Sequence, residues 1–370
     1  MVRGGGMTRS LRFAFFGSSL VSSYWNGACT YYRGIIRALH ERGHEVTFYE
    51  PHAYERQEHR DIPDPPWARV VVYEPTDAAA VRDVVARAHG ADVVVKTSGV
   101  GVFDDVLEAA VAELPGEHVR IFWDVDAPAT LARMEHHPGD PLRSLVAEFD
   151  LILTYGGGEP VIERYQAVGA RRCVPIYNAL DPSTHHPVAP EPRFKADVAF
   201  LGNRLPDREG RVQEFFFRAA ALRPRRTFLL GGNGWEVRPR ASNVRYLGHV
   251  STTDHNALNC TPLAVLNVSR ESMAANGYSP ATRVFEAAGA GACLITDAWE
   301  GIELFLEPDR EVLVAQDGRE VAAALEALDA QRARAIGAAA RERMLAEHTY
   351  SKRAALVERV LGEQPVGSRP

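Results

Sequence analysis

Short apolar segments of strand length alternate with helical segments along almost the whole chain, and this alternation restricts the possible folds more than any other feature. Some strands are unbroken apolar runs, as at 93–95, which indicates burial on both faces beneath covering helices. The predicted class is therefore α/β, built from parallel, doubly wound Rossmann-like sheets. Strands are predicted at 11–17, 44–50, 69–74, 91–98, 119–126, 150–155, 172–177, 197–202, 227–231, 244–247, 262–269, 292–296 and 311–315.

A proline-rich segment interrupts this alternation near the middle of the chain. Residues 181–193 contain four prolines, so they cannot form a helix or a central strand and are predicted to be a linker. A chain of 370 residues is also too long for one comfortable hydrophobic core. The prediction is an N-terminal domain over 8–180 and a C-terminal domain over 194–346, with a cleft between them.

Composition and charge argue against several classes of protein. The chain is 46% hydrophobic with a net charge of -6, and its scattered basic residues argue against a nucleic-acid partner. No apolar run approaches the roughly 20 residues that span a bilayer, so no integral membrane segment is predicted. The cysteines are widely spaced without a C-x-x-C pair, which indicates reduced thiols in a cytoplasmic protein. Residues 1–10 are predicted to be a flexible leader, and the oligomeric state is left open.

Charged groups in the segment 267–297 lie where a helix is predicted to begin. Ser279 suits the N-cap and Pro280 the first helical position, after a strand and an ordered loop. Arg283 and Glu286 are three residues apart and therefore share one face of this helix. A guanidinium at a helix N-terminus suits a phosphate, and a carboxylate one turn further can hold a ribose diol. The alternative is a capped surface helix with an ordinary ion pair.

Polar and glycine-rich segments follow several other predicted strands, at the edge where doubly wound folds bind ligands. Residues 18–27 follow the first strand, and Asp124 and Asp126 end the fifth. In the second half, such positions are 202–203, 231–234, Arg270 and Tyr278. Two sets of strand-end loops predict a pair of ligands, one held by each domain.

These motifs resemble those of the glycosyltransferases grouped with the spore maturation protein CgeB, over nearly the whole length from Phe13 to about Ala354. In the N-terminal half the resemblance lies in FGSSLVSSYWNG at 16–27, YRG at 32–34 and FWDVDAPATL at 122–131. In the C-terminal half it lies in LG at 201–202, PDR at 206–208, LNVSR at 266–270, GYSP at 277–280, RVFEAA at 283–288 and TDAWEG at 296–301.

The resemblance implies the two-domain GT-B fold, with a C-terminal helix at 347–365 that returns to brace the N-terminal domain. It implies a glycosyltransferase of the hexosyltransferase type, which moves a sugar from a nucleoside diphosphate, provisionally UDP, to a small-molecule, glycan or protein acceptor. The donor then binds the C-terminal domain and the acceptor the N-terminal domain. No metal is implied, and no cofactor other than the nucleotide sugar as co-substrate.

The same resemblance implies roles for residues of the donor site. Glu286 matches the glutamate that binds the donor ribose, and Arg208 and Arg270 are the expected diphosphate contacts, since fixed cations stabilise the leaving nucleotide. Retaining relatives often carry a second glutamate eight positions earlier, where this chain has Tyr278, so the anomeric outcome is left open. The implied donor-binding residues are Gly202, Arg208, Gly232, Arg270, Tyr278, Ser279, Arg283, Glu286, Trp299, Glu300 and Gly301.

Asp126, Asp124 and Arg270 are the catalytic candidates. An inverting transfer needs a base for the acceptor hydroxyl, and the two aspartates are the paired acids at an N-domain strand end. The alternatives are that one of them caps the next helix, or that the Asp-x-Asp pair binds a divalent cation.

The acceptor pocket is expected beside the first strand. Trp25, Asn26 and Gly27 can form one wall of it, or they can instead close a loop over the sheet edge. The histidine pairs at 136–137 and 185–186 are predicted to be solvated loop residues, because no carboxylate or thiol stands at ligand spacing.

Two other functions fit the same sequence. A nucleotide-sugar epimerase or hydrolase needs a donor site but no acceptor pocket. A non-catalytic nucleotide-sugar sensor binds the donor without turning it over.

Overall fold

The chain divides into two compact units, which are described separately. The structure is a computed structural model that describes residues 9–24, 26–236 and 241–363. The first unit comprises residues 1–177 with 350–370, and the second comprises residues 178–349. No helix in the described ranges has the length and apolar character that crossing a bilayer requires.

The first unit is built on a parallel sheet, in which seven strands lie within the described residues in the order β3-β2-β1-β4-β5-β6-β7. The strands are β1 Arg12–Phe16, β2 Glu45–Pro51, β3 Arg69–Tyr73, β4 Val93–Thr97, β5 Val119–Asp124, β6 Leu151–Thr154 and β7 Cys173–Pro175. The helices between them are α1 Cys29–Glu41, α2 Ala78–Ala86, α3 Asp104–Ala112, α4 Ala127–His136, α5 Pro141–Leu145 and α6 Gly158–Ala167.

The second unit carries a parallel sheet whose described strands run in the order β10-β9-β8-β11-β12-β13. These strands are β8 Val198–Leu201, β9 Phe228–Gly231, β10 Val244–Gly248, β11 Ala264–Asn267, β12 Leu294–Asp297 and β13 Leu313–Ala315. Its helices are α7 Pro206–Val212, α8 Arg218–Leu222, α9 His255–Cys260, α10 Glu271–Asn276, α11 Thr282–Gly289, α12 Gly318–Ala327 and α13 Ala330–Glu347.

Burial explains why the apolar runs form strands. All five residues of β4 are buried, as the unbroken run at 93–95 predicts for a strand covered on both faces. Helix α1 buries Ile35, Ile36 and Leu39 along one face, and Gly43 follows it with a φ of +93°, a conformation that favours glycine. Every strand predicted from the sequence is present, with ends that differ from the predicted ones by at most a few residues.

The segment predicted to be a linker, 181–193, belongs to the second unit. It ends in a helical turn at Pro192–Phe194, where Phe194 is buried with residues of β8 and α9. Leu180, just before it, forms an isolated bridge with Thr349.

The last helix, α14 Tyr350–Gly362, packs on α1 within the first unit. Its Tyr350 ring occupies the space beside Gly34, where a side chain would overlap it. Glu358 pairs with Arg42, and its Oε1 lies 2.9 Å from His44 Nε2. The helix begins at Tyr350 rather than at 347, because α13 continues to Glu347.

Candidate functional site

The carboxyl ends of four neighbouring strands in the second sheet carry most of the predicted donor residues. Strands β9, β8, β11 and β12 are adjacent, and the chain order reverses between β8 and β11. In doubly wound sheets such a reversal opens a crevice at the carboxyl edge, and ligands bind there. The loops that follow these four strands are therefore the frame of the candidate site.

The loops after β8 and β9 lock together through glycine. Gly232 has a φ of +113°, and a side chain there would overlap the carbonyl of Gly202. Asn233 donates its backbone N–H to Asn203 Oδ1 at 3.0 Å. Trp235 donates its indole N–H to the carbonyl of Gly202 at 2.8 Å and is fully buried. The buried Trp235 ring therefore stabilises the turn at 232–234 from the protein interior. Asn233 lies exposed at the tip of this turn.

Three arginines, here called the arginine cluster, converge near these loops: Arg208 in α7, Arg270 just before α10, and Arg283 in α11. Burial lowers the pKa of Arg208, and the charges of Arg270 and Arg283 lower it further. Burial also lowers the pKa of Arg283. Like charges held together in a partly buried place disfavour one another, and a bound anion relieves that repulsion.

Arg208 is the least satisfied member of the arginine cluster. Its Nε is buried without a hydrogen-bond partner in the described part of the chain. The glycine at position 202 makes room for it, since a Cβ there would lie 2.7 Å from a terminal nitrogen of Arg208. An unpaired buried donor is costly, so a ligand oxygen at this point would stabilise the site.

Arg270 is held from one side only. Its Nε donates to Asp207 Oδ2 at 3.0 Å, and the Ser272 hydroxyl donates to the same oxygen at 2.8 Å. No other hydrogen bond engages its guanidinium within the described residues, and the side chain is 43% exposed. Asp207 thus orients Arg270 while leaving its terminal nitrogens available to a ligand.

Asp297, at the end of β12, fixes the loop that carries Arg270. Its carboxylate accepts the N–H of Ser269 at 3.0 Å and a bond from Arg211 at 2.6 Å. Burial raises the pKa of Asp297, while Arg211 opposes that rise. The sequence reasoning gave neither Asp297 nor Arg211 a role, since they are 86 positions apart.

The predicted N-cap at Ser279 is wrong. Helix α11 begins at Thr282 with Ala281 as its N-cap, and Ser279 and Pro280 are buried in the preceding loop. The cause is a turn with positive φ at Gly277 and Tyr278, closed by a 2.6 Å hydrogen bond from the Tyr278 N–H to the carbonyl of Glu300. Arg283 and Glu286 still lie within the first turns of the helix, three residues apart.

Tyr278 is locked onto the turn at 299–301. Its hydroxyl donates to Glu300 Oε1 at 3.1 Å, and its ring fills the space beside Gly301, which has a φ of +88°. Trp299 is buried, with its indole N–H unpartnered among the described residues. Tyr278 and the turn at 299–301 therefore pack together at the carboxyl edge of the sheet.

Glu286 meets two histidines that are distant in sequence. His185 Nε2 lies 3.7 Å from Glu286 Oε1, and the side chains are 20% and 18% exposed. His255 completes a group whose metal-ligating atoms all lie within 4.8 Å of one another. Burial lowers the pKa of His255, and the Arg283 charge adds to that effect. We call His185, His255 and Glu286 the histidine–glutamate cluster.

The prediction for the histidine pairs is thus partly wrong. His136, His137 and His186 are exposed, as expected of solvated loop residues. His185 is half-buried against Glu286 instead. No local pattern distinguishes it from His186, because the contact depends on a loop folding back over 101 positions.

The first unit places its two candidate aspartates in different environments. Asp124 is fully buried: Oδ2 accepts the Tyr165 hydroxyl at 2.6 Å, and Oδ1 accepts the N–H of Asp126 at 2.9 Å. Asp126 is exposed at the N-cap position of α4, without a hydrogen bond from its side chain to the helix end. Asp124 therefore orients the backbone that presents Asp126.

Hydrogen bonds from buried side chains hold the loop after β1. Asn26 is buried and donates its amide to the carbonyls of Ser19 at 2.7 Å and Ser22 at 3.2 Å, which favours the loop-closing alternative for this residue. The buried Glu50 accepts the N–H of Leu20 at 2.6 Å. Gly27 is exposed. The third predicted acceptor residue, Trp25, lies outside the described residues.

One family model matches part of the chain. Residues 208–359 match the family model described as "Glycosyl transferase-like", a span that contains all three arginines and Glu286. None of the curated proteins compared with the chain matches it in sequence.

Solved structures resemble the chain over almost its whole length. Sucrose-phosphate synthase from Thermosynechococcus elongatus has a TM-score of 0.69 at 14% identity, covering 95% of this chain and 98% of that one. HepE from Anabaena, in complex with UDP-glucose, has a TM-score of 0.64 at 15% identity, covering 95% and 99%. The T4 phage BGT, in complex with its UDP-glucose substrate, has a TM-score of 0.57 at 12% identity, covering 96% and 99%. At these identities the likeness establishes the fold alone.

The two parallel Rossmann-like sheets and these structural matches define a protein with the GT-B fold, as the sequence predicts. The family match covers less than half of the chain, residues 208–359, and is consistent with this fold.

Proposed function

We propose that this enzyme transfers a hexosyl group from a nucleoside diphosphate to an acceptor hydroxyl, without a metal ion. The arginine cluster carries this proposal: three cations share the crevice edge, burial and then the charges of the other two lower the pKa of Arg208, and its Nε is buried without a partner among the described residues. A diphosphate supplies the negative charge that the arginine cluster lacks, and its oxygens can accept hydrogen bonds from the guanidinium groups.

In the proposed donor complex, Arg208, Arg270 and Arg283 contact the diphosphate and Glu286 binds the ribose hydroxyls. The nucleotide base lies beside Tyr278, over the turn that contains Gly232. Ser279 helps to fix the conformation of the loop before α11. The turn at 299–301 faces the sugar or phosphate. UDP-glucose is the first donor to test, because it is the ligand named for HepE and for the T4 phage BGT.

The transfer breaks the bond between the anomeric carbon and the diphosphate oxygen, whose electron pair stays on the leaving nucleotide. Arg270 stabilises the negative charge that develops there, which is the role that a divalent cation would otherwise fill. The acceptor oxygen bonds to the anomeric carbon and loses its proton, for which Asp126 is the base in the inverting case, while the anomeric outcome is left open. Asp124 positions Asp126 through its backbone N–H.

The acceptor is a small molecule, glycan or protein that binds the first unit near residues 25–27. Within the glycosyltransferases, we group the chain with the CgeB-type enzymes on the motifs at 16–27 and 122–131. The free cysteines, three of them buried, favour a cytoplasmic location.

Thermal-shift measurements with UDP, GDP, TDP and their sugars test the donor site, since a ligand that binds the folded state raises the unfolding temperature. Nucleotide release with a panel of acceptors, with and without a chelator, then tests transfer. We expect stabilisation by one nucleotide family and turnover that survives the chelator. Released sugar without an acceptor would favour the epimerase or hydrolase alternative, and binding without turnover would favour a sensor.

A further inference from the structure

The histidine–glutamate cluster has the composition of a transition-metal site. Two imidazoles and one carboxylate are the donor set of many zinc sites that keep an open coordination position. Imidazole also favours zinc over magnesium or calcium, which prefer oxygen ligands alone. All three side chains are half-buried, so an ion could reach them from solvent and be held out of bulk water.

The distances suit a zinc ion after small side-chain rotations. The ligating atoms lie within 4.8 Å of one another, and His185 Nε2 is 3.7 Å from Glu286 Oε1. Bonds of about 2.0–2.1 Å in a tetrahedron place ligand atoms roughly 3.3–3.5 Å apart. The cluster therefore needs to contract by up to about 1.5 Å at its widest point, which side-chain rotation can supply.

Hydrogen bonding orients His185 as a ligand. The Thr184 hydroxyl lies 2.9 Å from His185 Nδ1 and 3.2 Å from the carbonyl of Asp181, so it holds the ring on its Nδ1 side. In the tautomer that carries its proton on Nδ1, Nε2 presents a lone pair towards the carboxylate of Glu286. A cation between Nε2 and that carboxylate then satisfies both acceptors. A second partner that holds the other ring nitrogen is typical of metal-bound histidine.

His255 is the first residue of α9, and its segment is fixed through the residue that follows it. The neighbouring Asn256 ties the two histidine segments together: its Nδ2 donates to the carbonyl of Thr184 at 2.9 Å, and its Oδ1 accepts the N–H of His186 at 3.3 Å. The loop with His185 and the helix with His255 are therefore joined before any ligand arrives.

We propose that His185, His255 and Glu286 bind one zinc ion, which leaves a fourth coordination position for water and excludes the nucleotide sugar. The exclusion rests on the proposed function, in which Glu286 binds the donor ribose, because a zinc ion on Glu286 occupies a carboxylate oxygen that would otherwise accept a ribose hydroxyl. The positive charge of Arg283 opposes the ion, so binding is reversible rather than structural. Zinc is then an inhibitor that competes with the donor.

Cobalt(II), whose visible absorption reports tetrahedral coordination, tests the site directly on the full chain without a polyhistidine tag. We expect His185→Ala and His255→Ala each to weaken cobalt affinity at least about tenfold. His186→Ala is the matched control, since this adjacent histidine is exposed and outside the cluster. Circular dichroism checks that each variant folds, and the milder Thr184→Ala, which removes the hydroxyl contacts with His185 Nδ1 and with the carbonyl of Asp181, should also weaken binding. Cobalt affinity equal in all variants, or absent in the wild type, would overturn the site.

Calorimetric titration of UDP with and without zinc tests the exclusion separately. We expect zinc to raise the apparent Kd for UDP in the wild type and not in His185→Ala. Cobalt binding that persists unchanged at saturating UDP would overturn the competition and the ribose role of Glu286, while the metal site stands. UDP binding in a protein that takes up no cobalt would overturn the metal site alone and leave the proposed function intact.

Discussion

Arg270 donates its Nε–H to the carboxylate of Asp207 at 3.0 Å, joining the loop after β11 to the helix that follows β8. These two strands are neighbours at the point where the strand order of the second sheet reverses. The ion pair therefore connects the loops on the two sides of the crevice. It also turns the remaining guanidinium nitrogens of Arg270 towards the crevice. This single contact accounts for how a side chain that is 43% exposed can be held in one orientation.

Arg270→Gln should lower turnover about a hundredfold and change donor affinity much less, because its charge acts mainly on the leaving diphosphate. Asp207→Asn, which leaves the arginine but loosens it, should have a smaller effect of the same kind. Nucleotide release at saturating donor measures both. Arg334→Gln, an exposed arginine on α13, is the control, and a wild-type rate in Arg270→Gln would remove this residue from the site.

Glu286→Gln should weaken UDP binding roughly tenfold, since an amide accepts fewer and weaker hydrogen bonds from a ribose diol than a carboxylate does. Its unfolding temperature should stay close to that of the wild type because the side chain is partly exposed. Calorimetry measures the affinity, with the exposed Glu342→Gln as the matched carboxylate control. Equal affinity in both variants would argue that the ribose lies elsewhere.

Asp126→Asn should reduce transfer about a hundredfold while donor binding is unchanged, because the amide cannot take the acceptor proton. Asp124→Asn should instead lower the unfolding temperature, since this buried carboxylate accepts both the Tyr165 hydroxyl and the Asp126 N–H. Transfer rates and thermal unfolding of the two variants, read side by side, separate the two roles. An unimpaired rate in Asp126→Asn would require a different base.

Gly232→Ala should destabilise the second unit by about 1–3 kcal/mol, because its φ of +113° and the carbonyl of Gly202 both exclude a side chain. Gly210→Ala is the control, and its expected effect on stability has the opposite sign. That glycine lies within α7 with open space around it, so alanine should stabilise the helix by about 0.5–1 kcal/mol. Urea unfolding measures both, and equal effects would mean that the Gly202–Gly232 approach is not tight in solution.

Glu108 should make the stability of the first unit depend on pH. Burial raises the pKa of Glu108 to about 7, against the opposing charge of Lys96. Since the unfolded carboxyl titrates near 4.5, the folded state retains a proton that the unfolded chain releases. The contribution is complete below pH 4.5 and is lost as the pH rises to about 7, with a slope of at most about 1.4 kcal/mol per pH unit.

Glu108→Gln should remove this loss, so that the variant gains stability relative to the wild type at pH 8 but not at pH 4. Urea unfolding at the two pH values measures it. The exposed Glu113→Gln, on the same stretch of chain, should leave the pH dependence as it is in the wild type. An unchanged slope in Glu108→Gln would show that Lys96 keeps the carboxyl ionised.

The strands and the fold class follow from the sequence because their signal is local. A run such as 93–95 has no stable arrangement except burial on both faces, and the proline-rich segment after 180 admits no regular element. Arg270 was singled out for a similar reason, since parallel strands bring their following loops to one edge, and Arg283 and Glu286 were paired by their spacing on one helix. The candidate role of Arg208 came from the family resemblance instead.

What the sequence did not reveal depends on contacts between distant residues. The start of α11 is displaced by a hydrogen bond from Tyr278 to Glu300, which no spacing rule anticipates. Likewise, the contact between His185 and Glu286 depends on a folded loop. In the same way, the burial of Trp235 depends on its indole N–H reaching the carbonyl of Gly202, 33 positions earlier in the chain.

The packing of α14 on α1 means that the first unit is assembled from both ends of the polypeptide. During synthesis the ribosome must therefore complete all 172 residues of the second unit before the first can bury the face of α1 around Gly34. Until then that face stays open to chaperones or to wrong partners. The order of translation thus makes the second unit the first that can finish folding.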